Sequence, residues 1–175
     1  MKIISLIQPW ASLSVGGFKD VEHQSCEASF GEAWQRSCHP QGKTCADWQS
    51  QPSKRVQNRT WATKQRGIVG IHASANDKRR EWCNAVATIF HIKKCSIDTA
   101  EILLIEMVGK FEDLPRGAIL GTAEITDCTK KISSPWHFED MYGFYLKNAK
   151  KFEPPIPASG ALGFWEFDLE SRGVV

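Results

Sequence analysis

Short apolar runs separated by turn residues dominate the hydrophobic pattern of the chain. The runs Ile3 to Leu6, Gly67 to Ala73 and Ala118 to Ile125 are rich in β-branched residues and have the length of buried strands. Two more strands are predicted at Tyr142 to Leu146 and at Leu162 to Phe167. These segments therefore predict a sheet built from several short strands.

A short helix is predicted after the first strand. Pro9 suits a first helical turn, where its missing N–H costs little, and the helix carries Trp10 and Leu13. It is expected to end at Gly16 and Gly17. Lys19 to Glu22 should then be extended.

Two longer helices are predicted in the middle of the chain. Ser74 or Asn76 is expected to cap a helix that runs to about His91. A second helix is expected from about Asp98 to Val108. Their inward faces are predicted to carry Trp82, Val86, Ile89 and Phe90 in the first, and Ile102, Ile105 and Met107 or Val108 in the second. Strands with helices gathered between them indicate an α+β fold with a small mixed β-barrel rather than a parallel Rossmann sheet.

The segment from about residue 23 to residue 57 lacks a period of either 2 or 3.6 and is rich in turn residues. We interpret it as a surface insertion in a single domain that spans residues 1–175. Zinc is one interpretation of its Cys26, Cys38, His39 and Cys45. A loop with free thiols is favoured, because no short Cys-x2-Cys knuckle occurs and adjacent Cys38 and His39 rarely bind one ion together. No metal and no cofactor is expected.

Composition narrows the class of protein. Hydrophobic residues make up 42% of the chain, so it should fold. The formal charge is only +2, so net charge alone does not argue for nucleic acid. No signal peptide is visible, and no apolar stretch approaches the ~20 residues of a membrane span. A cytoplasmic protein without membrane contact is predicted.

One segment does concentrate positive charge. Residues 54–66 contain five cationic residues, no acidic residue, and Trp61 in the middle. The cations are Lys54, Arg55, Arg59, Lys64 and Arg66. Cations neutralise phosphates and an aromatic face stacks on an unpaired base, so the segment suits single-stranded RNA. The alternative is a solvated loop with Trp61 in the core. His72, at a strand end, is either a ligand contact or a structural residue.

Five segments taken together resemble the ASCH domain family: ISLIQPWASLSVGGFKDVE, NRTW, RGIVGIHAS, LPRGAILGTAEITDC and PIPASGALGFWEF. The family pattern Gly-x-Lys-x-x-Glu-x-Arg is matched by Gly17, Lys19 and Glu22, with Arg59 as the displaced Arg. Gln57 is an alternative to Glu22 for the carboxylate position. Glu22 is favoured, because Gly17 and Lys19 stand at the expected spacing before it.

The resemblance implies a PUA-like pseudo-barrel of the kind linked to RNA binding. Some small bacterial members of the family hydrolyse the amide of N4-acetylcytidine with a Lys, a Thr three residues later and a late Glu. Others are described as RNA-binding or ribonuclease-like, and some join transcription coactivators. By position, the Lys is Lys19, the late Glu is Glu124, and Glu22 stands in the Thr position. The hydroxyl nucleophile is therefore missing there.

The leading prediction is binding of single-stranded RNA, or of a modified nucleoside, in a cleft at the barrel mouth. The alternatives are an amidohydrolase acting on N4-acylated cytidine, a ribonuclease-like activity, and a module that binds a protein partner through the insertion. Whether the protein is an enzyme stays open. Lys19, Glu22, Arg59 and Glu124 are expected to converge. The predicted catalytic residues are Lys19, Glu22 and Glu124, and the predicted nucleic-acid contacts are Lys19, Arg59, Trp61, Lys64, Arg66 and His72.

Overall fold

The computed structural model describes residues 1–23, 62–76, 78–131, 133–137 and 142–169. Its strands are β1 (Lys2–Leu6), β2 (Val21–His23), β3 (Gly67–Ala73), β4 (Ala118–Thr129), β5 (Gly143–Pro157) and β6 (Phe164–Glu166). Its α-helices are α1 (Trp10–Val15), α2 (Arg79–Lys93) and α3 (Ile97–Val108), and a 3₁₀ turn spans Phe111–Asp113. The predicted strand at Gly67 to Ala73 and the predicted helix from Trp10 to Gly16 are confirmed.

The strands form one mixed sheet in the order β2-β5-β4-β3-β1-β6. Strands β1 and β3 are parallel, with Ile4 opposite Ile71, and the other pairings are antiparallel. Helices α1 and α2 each follow one member of the parallel pair. A mixed sheet with helices packed beside it is an α+β fold, so the α+β part of the predicted fold class is confirmed.

The face of the sheet beneath α1 holds the first hydrophobic cluster. Ala123 and Ile125 of β4 belong to it, together with Ala11 and Val15 of α1. Successive side chains of a strand point to opposite faces. The other face holds a separate cluster, whose buried members are Ile3, Ile119, Ile156 and Leu169.

The sheet is strongly curled. The rings of Phe144 on β5 and Phe164 on β6 are stacked, with centroids 6.0 Å apart and planes at 28°. Four strand spacings separate β5 from β6 along the sheet, which would be about 19 Å if the sheet were flat. Within the described residues no hydrogen-bonded ladder joins the edge strands β2 and β6. A closed PUA-like barrel therefore stays a prediction.

Helices α2 and α3 pack against each other in a further cluster. Trp82, Val86 and Ile89 of α2 are buried in it, as predicted, and Leu13 of α1 joins them. Phe90 packs against the same cluster but is only partly buried. Helix α1 therefore contributes side chains both to the sheet and to the helical layer.

The predicted cap of α2 is wrong. The helix begins at Arg79 after Lys78, and neither Ser74 nor Asn76 occupies the cap position. The Ser74 hydroxyl instead accepts a hydrogen bond from the Asn76 backbone N–H at 3.3 Å. Serine favours such local turns, which compete with helix capping for the same oxygen.

The predicted inward face of α3 is wrong at Ile102. Ile102 is 56% exposed, while the buried residues of the helix are Ala100 and Leu104. Ile105, Met107 and Val108 are only partly buried, although they pack against the helical cluster. The helix begins as the capping rules require, with the Ser96 hydroxyl accepting from the Thr99 backbone N–H at 3.2 Å.

Strand β5 is much longer than predicted, because it continues from Leu146 to Pro157 through Pro154 and Pro155. Beyond Tyr145, no second strand in the described segments pairs with its outer side. Proline is tolerated in an edge strand because its missing N–H faces away from the ladder.

Candidate functional site

Two helices begin at the same end of the parallel pair β1 and β3. Trp10 is the first residue of α1, and Glu81 lies in the first turn of α2. The Trp10 Nε1–H donates to Glu81 Oε2 at 2.9 Å, which ties the two helix starts together. In open α/β sheets, ligands usually bind outside the carboxyl ends of the parallel strands, and β1 and β3 are the parallel pair of this sheet.

A buried glutamine fixes the start of α1. Gln8 is 1% exposed, and its peptide bond to Pro9 is cis. Its Nε2 donates to the Pro115 carbonyl at 2.8 Å, and its Oε1 accepts from the Ser12 backbone N–H at 3.2 Å. Because both ends of the amide are used, the first turn of α1, and with it Trp10, is held to the loop before β4.

Lys19 is 5% exposed, which is rare for a lysine. Its backbone N–H donates to the Leu13 carbonyl at 3.1 Å, so the chain folds back against the end of α1. The Lys19 Nζ lies 5.0 Å from the centroid of the Trp10 ring. A cation at this distance from an indole is attracted by the ring face. Trp10 is only partly buried, so the pair combines a buried lysine with a partly exposed tryptophan.

Charged and polar groups border the Trp10–Lys19 pair. Glu81 Oε2 also accepts from Asn84 Nδ2 at 3.4 Å. Asp20, which follows Lys19 in the sequence, accepts a 2.6 Å hydrogen bond from the Ser134 hydroxyl. Ser134 belongs to the turn at residues 133–137, whose Trp136 is buried in the cluster that Trp10 also contacts. The turn at residues 133–137 is therefore hydrogen-bonded to the residue after Lys19 and packs against the same cluster as Trp10.

Glu124 lies away from this pair. Its neighbours Ala123 and Ile125 point into the cluster beneath α1, so Glu124 points to the opposite face of the sheet. There its Oε2 accepts a hydrogen bond from Asn148 Nδ2 at 2.7 Å. Lys19 lies against Trp10 of α1, on the other side. These contacts give no support to the predicted convergence of Lys19 with Glu124.

His72 is 1% exposed, and both of its ring nitrogens are used within the protein. Its Nε2 carries the proton and donates to the Ala158 carbonyl at 3.0 Å, since a carbonyl only accepts. In the neutral ring Nδ1 then accepts from the Ser5 hydroxyl at 3.1 Å, while Trp165 Nε1–H donates to the same oxygen at 3.0 Å. Gly160 covers the ring, and a Cβ there would stand 2.9 Å from Ser5 Oγ. These contacts favour the structural interpretation of His72.

The remaining predicted residues are only partly described. Lys64 and Arg66 are exposed, and Arg66 pairs with Asp127 at 3.1 Å. Glu22 lies in β2, opposite Phe144. Outside the described residues lie Arg59, Trp61, the cysteine-containing insertion with its predicted protein contact, and the alternative carboxylate position at Gln57.

The partners of Trp10 were not predicted from the sequence. Trp10 was predicted only to lie in the short first helix, and its hydrogen bond to Glu81 joins residues 71 positions apart. One local signal did point to Glu81: it is the acidic residue in the first turn of a helix that begins with two arginines. Asp20 and Ser134 gave no signal, because their hydrogen bond spans 114 positions.

Comparison of the sequence with protein-family models and with curated proteins finds no match. In the part of the chain that the structure describes, no helix has both the length and the apolar character needed to cross a membrane. The described residues thus form an α+β protein, and its Trp10–Lys19 pair lies near the carboxyl ends of the two parallel strands.

Proposed function

We propose that the protein binds a nucleotide of single-stranded RNA, or a modified nucleoside, at Trp10 and Lys19. The observation that carries this proposal is the buried Lys19 ammonium group 5.0 Å from the ring of a partly exposed tryptophan. An indole face stacks on an unpaired base of any identity. An ammonium group beside the ring would neutralise the phosphate of the same nucleotide.

A PUA-like barrel of the ASCH family is part of the same proposal. The curl that brings Phe144 to Phe164 supports it, because a sheet with this curvature is close to a barrel. Gly17 and Lys19 at the family spacing support it as well. The Trp10–Lys19 pair would then lie at the mouth of the barrel, where α1 covers the sheet.

The amidohydrolase alternative has weaker support. It needs Lys19 and a carboxylate at one reacting amide, and Glu124 is hydrogen-bonded to Asn148 on the opposite face of the sheet. Binding requires only Trp10 and Lys19, which are in contact. Binding is therefore the function that the described contacts favour.

The proposal is tested by calorimetric titration of the protein with uridine monophosphate, cytidine monophosphate and N4-acetylcytidine. Trp10→Leu keeps an apolar side chain but removes the ring, so it should weaken binding by about 1–3 kcal/mol. Lys19→Met should lower the slope of log affinity against log salt by about 0.7 for the monophosphates. Lys147→Met is the matched control, since Lys147 lies 5.7 Å from the ring of Tyr145, away from α1.

Thermal melting shows which variants remain folded, and Lys19→Arg retains the charge if Lys19→Met does not fold. A folded Trp10→Leu variant with wild-type affinity for all three ligands would sink the proposal. Cytidine released from N4-acetylcytidine faster than by the Lys19→Met variant would favour the amidohydrolase instead.

A further inference from the structure

A second cation–aromatic pair lies where β4 ends and β5 begins. The Lys130 Nζ is 5.2 Å from the centroid of the Tyr142 ring. Thr129 and Gly143 form the last register pair of these strands, so Lys130 and Tyr142 are held opposite each other just beyond it. Lys130 is exposed, and no ion pair within the described segments involves it. An exposed ammonium group beside an aromatic ring can contact the phosphate of a stacked nucleotide.

One short turn connects this pair to the Trp10–Lys19 pair. At one end of the turn, Ser134 donates to Asp20, the neighbour of Lys19. At the other end, the His137 Nε2–H donates to the Lys130 carbonyl at 2.7 Å. The turn at residues 133–137 is thus hydrogen-bonded both to the residue after Lys19 and to the backbone of Lys130.

The two pairs also belong to the same face of the sheet. Tyr142 packs against the cluster beneath α1 that contains Phe144 and Leu146. Tyr145 alternates with these residues and therefore points to the opposite face, with Lys147 5.7 Å from its ring centroid. The chain thus contains a similar Lys–Tyr pair that a ligand at Trp10 would not reach.

We infer that Tyr142 and Lys130 form a second nucleotide subsite, so that the partner is a single-stranded RNA of several nucleotides rather than a free nucleoside. This inference rests on the proposed function of the Trp10–Lys19 pair. A base would stack on the Tyr142 ring, and the flexible Lys130 side chain would turn from the ring to the adjacent phosphate. The strand would cross the turn at residues 133–137 between the two subsites.

Titration with uridine monophosphate and with a uridylate hexamer separates the two subsites. The hexamer should bind more tightly than the monophosphate. Tyr142→Leu should lower hexamer affinity about five- to 150-fold, which is the loss of one base stack. Lys130→Met should lower the salt slope of hexamer binding by about 0.7. Neither change should alter the uridine monophosphate binding that Trp10→Leu weakens.

Tyr145→Leu and Lys147→Met are the controls and should leave hexamer binding unchanged. The inference is overturned if the hexamer binds no more tightly than the monophosphate, or if the Tyr142 and Tyr145 variants weaken it equally. A folded Tyr142→Leu variant with wild-type hexamer affinity also overturns it, while monophosphate binding would leave the proposed function intact. If uridine monophosphate, cytidine monophosphate and N4-acetylcytidine all fail to bind, the proposed function and this inference fall together.

Discussion

His72 stabilises the protein in its uncharged form. Burial lowers the pKa of His72 below its ordinary value of 6.5, and the hydrogen bond to the Ala158 carbonyl offsets this only in part. Below that value the unfolded chain binds more protons at this residue than the folded protein does. The contribution of His72 to stability is therefore fully present above pH 6.5 and is lost as the pH falls towards the lower pKa of the folded state.

The expected result is a free energy of unfolding that decreases as the pH is lowered from about 7 to about 5, by at most about 1.4 kcal/mol per pH unit from this residue. Urea unfolding at several pH values measures it. His72→Gln retains a donor and an acceptor but cannot titrate, so its stability should depend less on pH in this range. An equal pH dependence in the variant and the wild type would contradict the assignment.

The sequence left two interpretations of His72 open for a physical reason. Its strand was predictable, because the β-branched run from Gly67 to Ala73 carries a local signal. Its partner Ala158 lies 86 positions away, and no periodicity reports such a contact. Trp10 is similar, since the short helix that carries it was predictable from local signals, whereas its hydrogen bond to Glu81 joins residues 71 positions apart.

Helix α3 shows how a helix can be predicted while its buried face is not. Its N-terminal cap and length follow from local signals, and the prediction was one residue from the observed start. Apolar residues, however, fill most of its positions, including Ile102, Leu103, Leu104 and Ile105. Such a pattern does not select one face, so only packing against α2 and α1 decides that Leu104 is buried.

Two substitutions in α3 should therefore differ sharply. Leu104→Ala should cost about 2–5 kcal/mol of unfolding free energy, because it removes a fully buried side chain. Ile102→Gln should change stability by no more than about 0.5 kcal/mol, because Ile102 is 56% exposed. Urea denaturation measures both. A larger loss for Ile102→Gln than for Leu104→Ala would mean that the opposite face packs.

The curl of the sheet is a property of the whole molecule and has a specific energetic signature. Phe144 and Phe164 are stacked although three strands lie between their own strands. A stacked aromatic pair contributes about 0.5–1.5 kcal/mol beyond the area that it buries. Phe144→Ala and Phe164→Ala should therefore be non-additive by about this amount in a double-mutant cycle.

Chemical denaturation of the wild type, both single variants and the double variant gives this coupling. Ile68→Ala combined with Phe164→Ala is a suitable control, since Ile68 is 63% exposed. Additive effects for the two phenylalanines would mean that the ends of the sheet do not touch in solution. The strands themselves were predictable from local patterns, whereas this contact depends on the bulges and twist of the assembled sheet.

Helix α1 is six residues long, too short to be stable alone. Ala11 and Val15 anchor it in the sheet layer, and Leu13 anchors it in the helical layer. Unfolding of α1 would expose apolar surface of the sheet layer and of the helical layer at the same time. Its amide protons should therefore exchange with solvent mainly through large, cooperative openings of the molecule. A molecule bound at Trp10 would suppress those openings, so occupancy of this small site would raise the melting temperature of the whole chain.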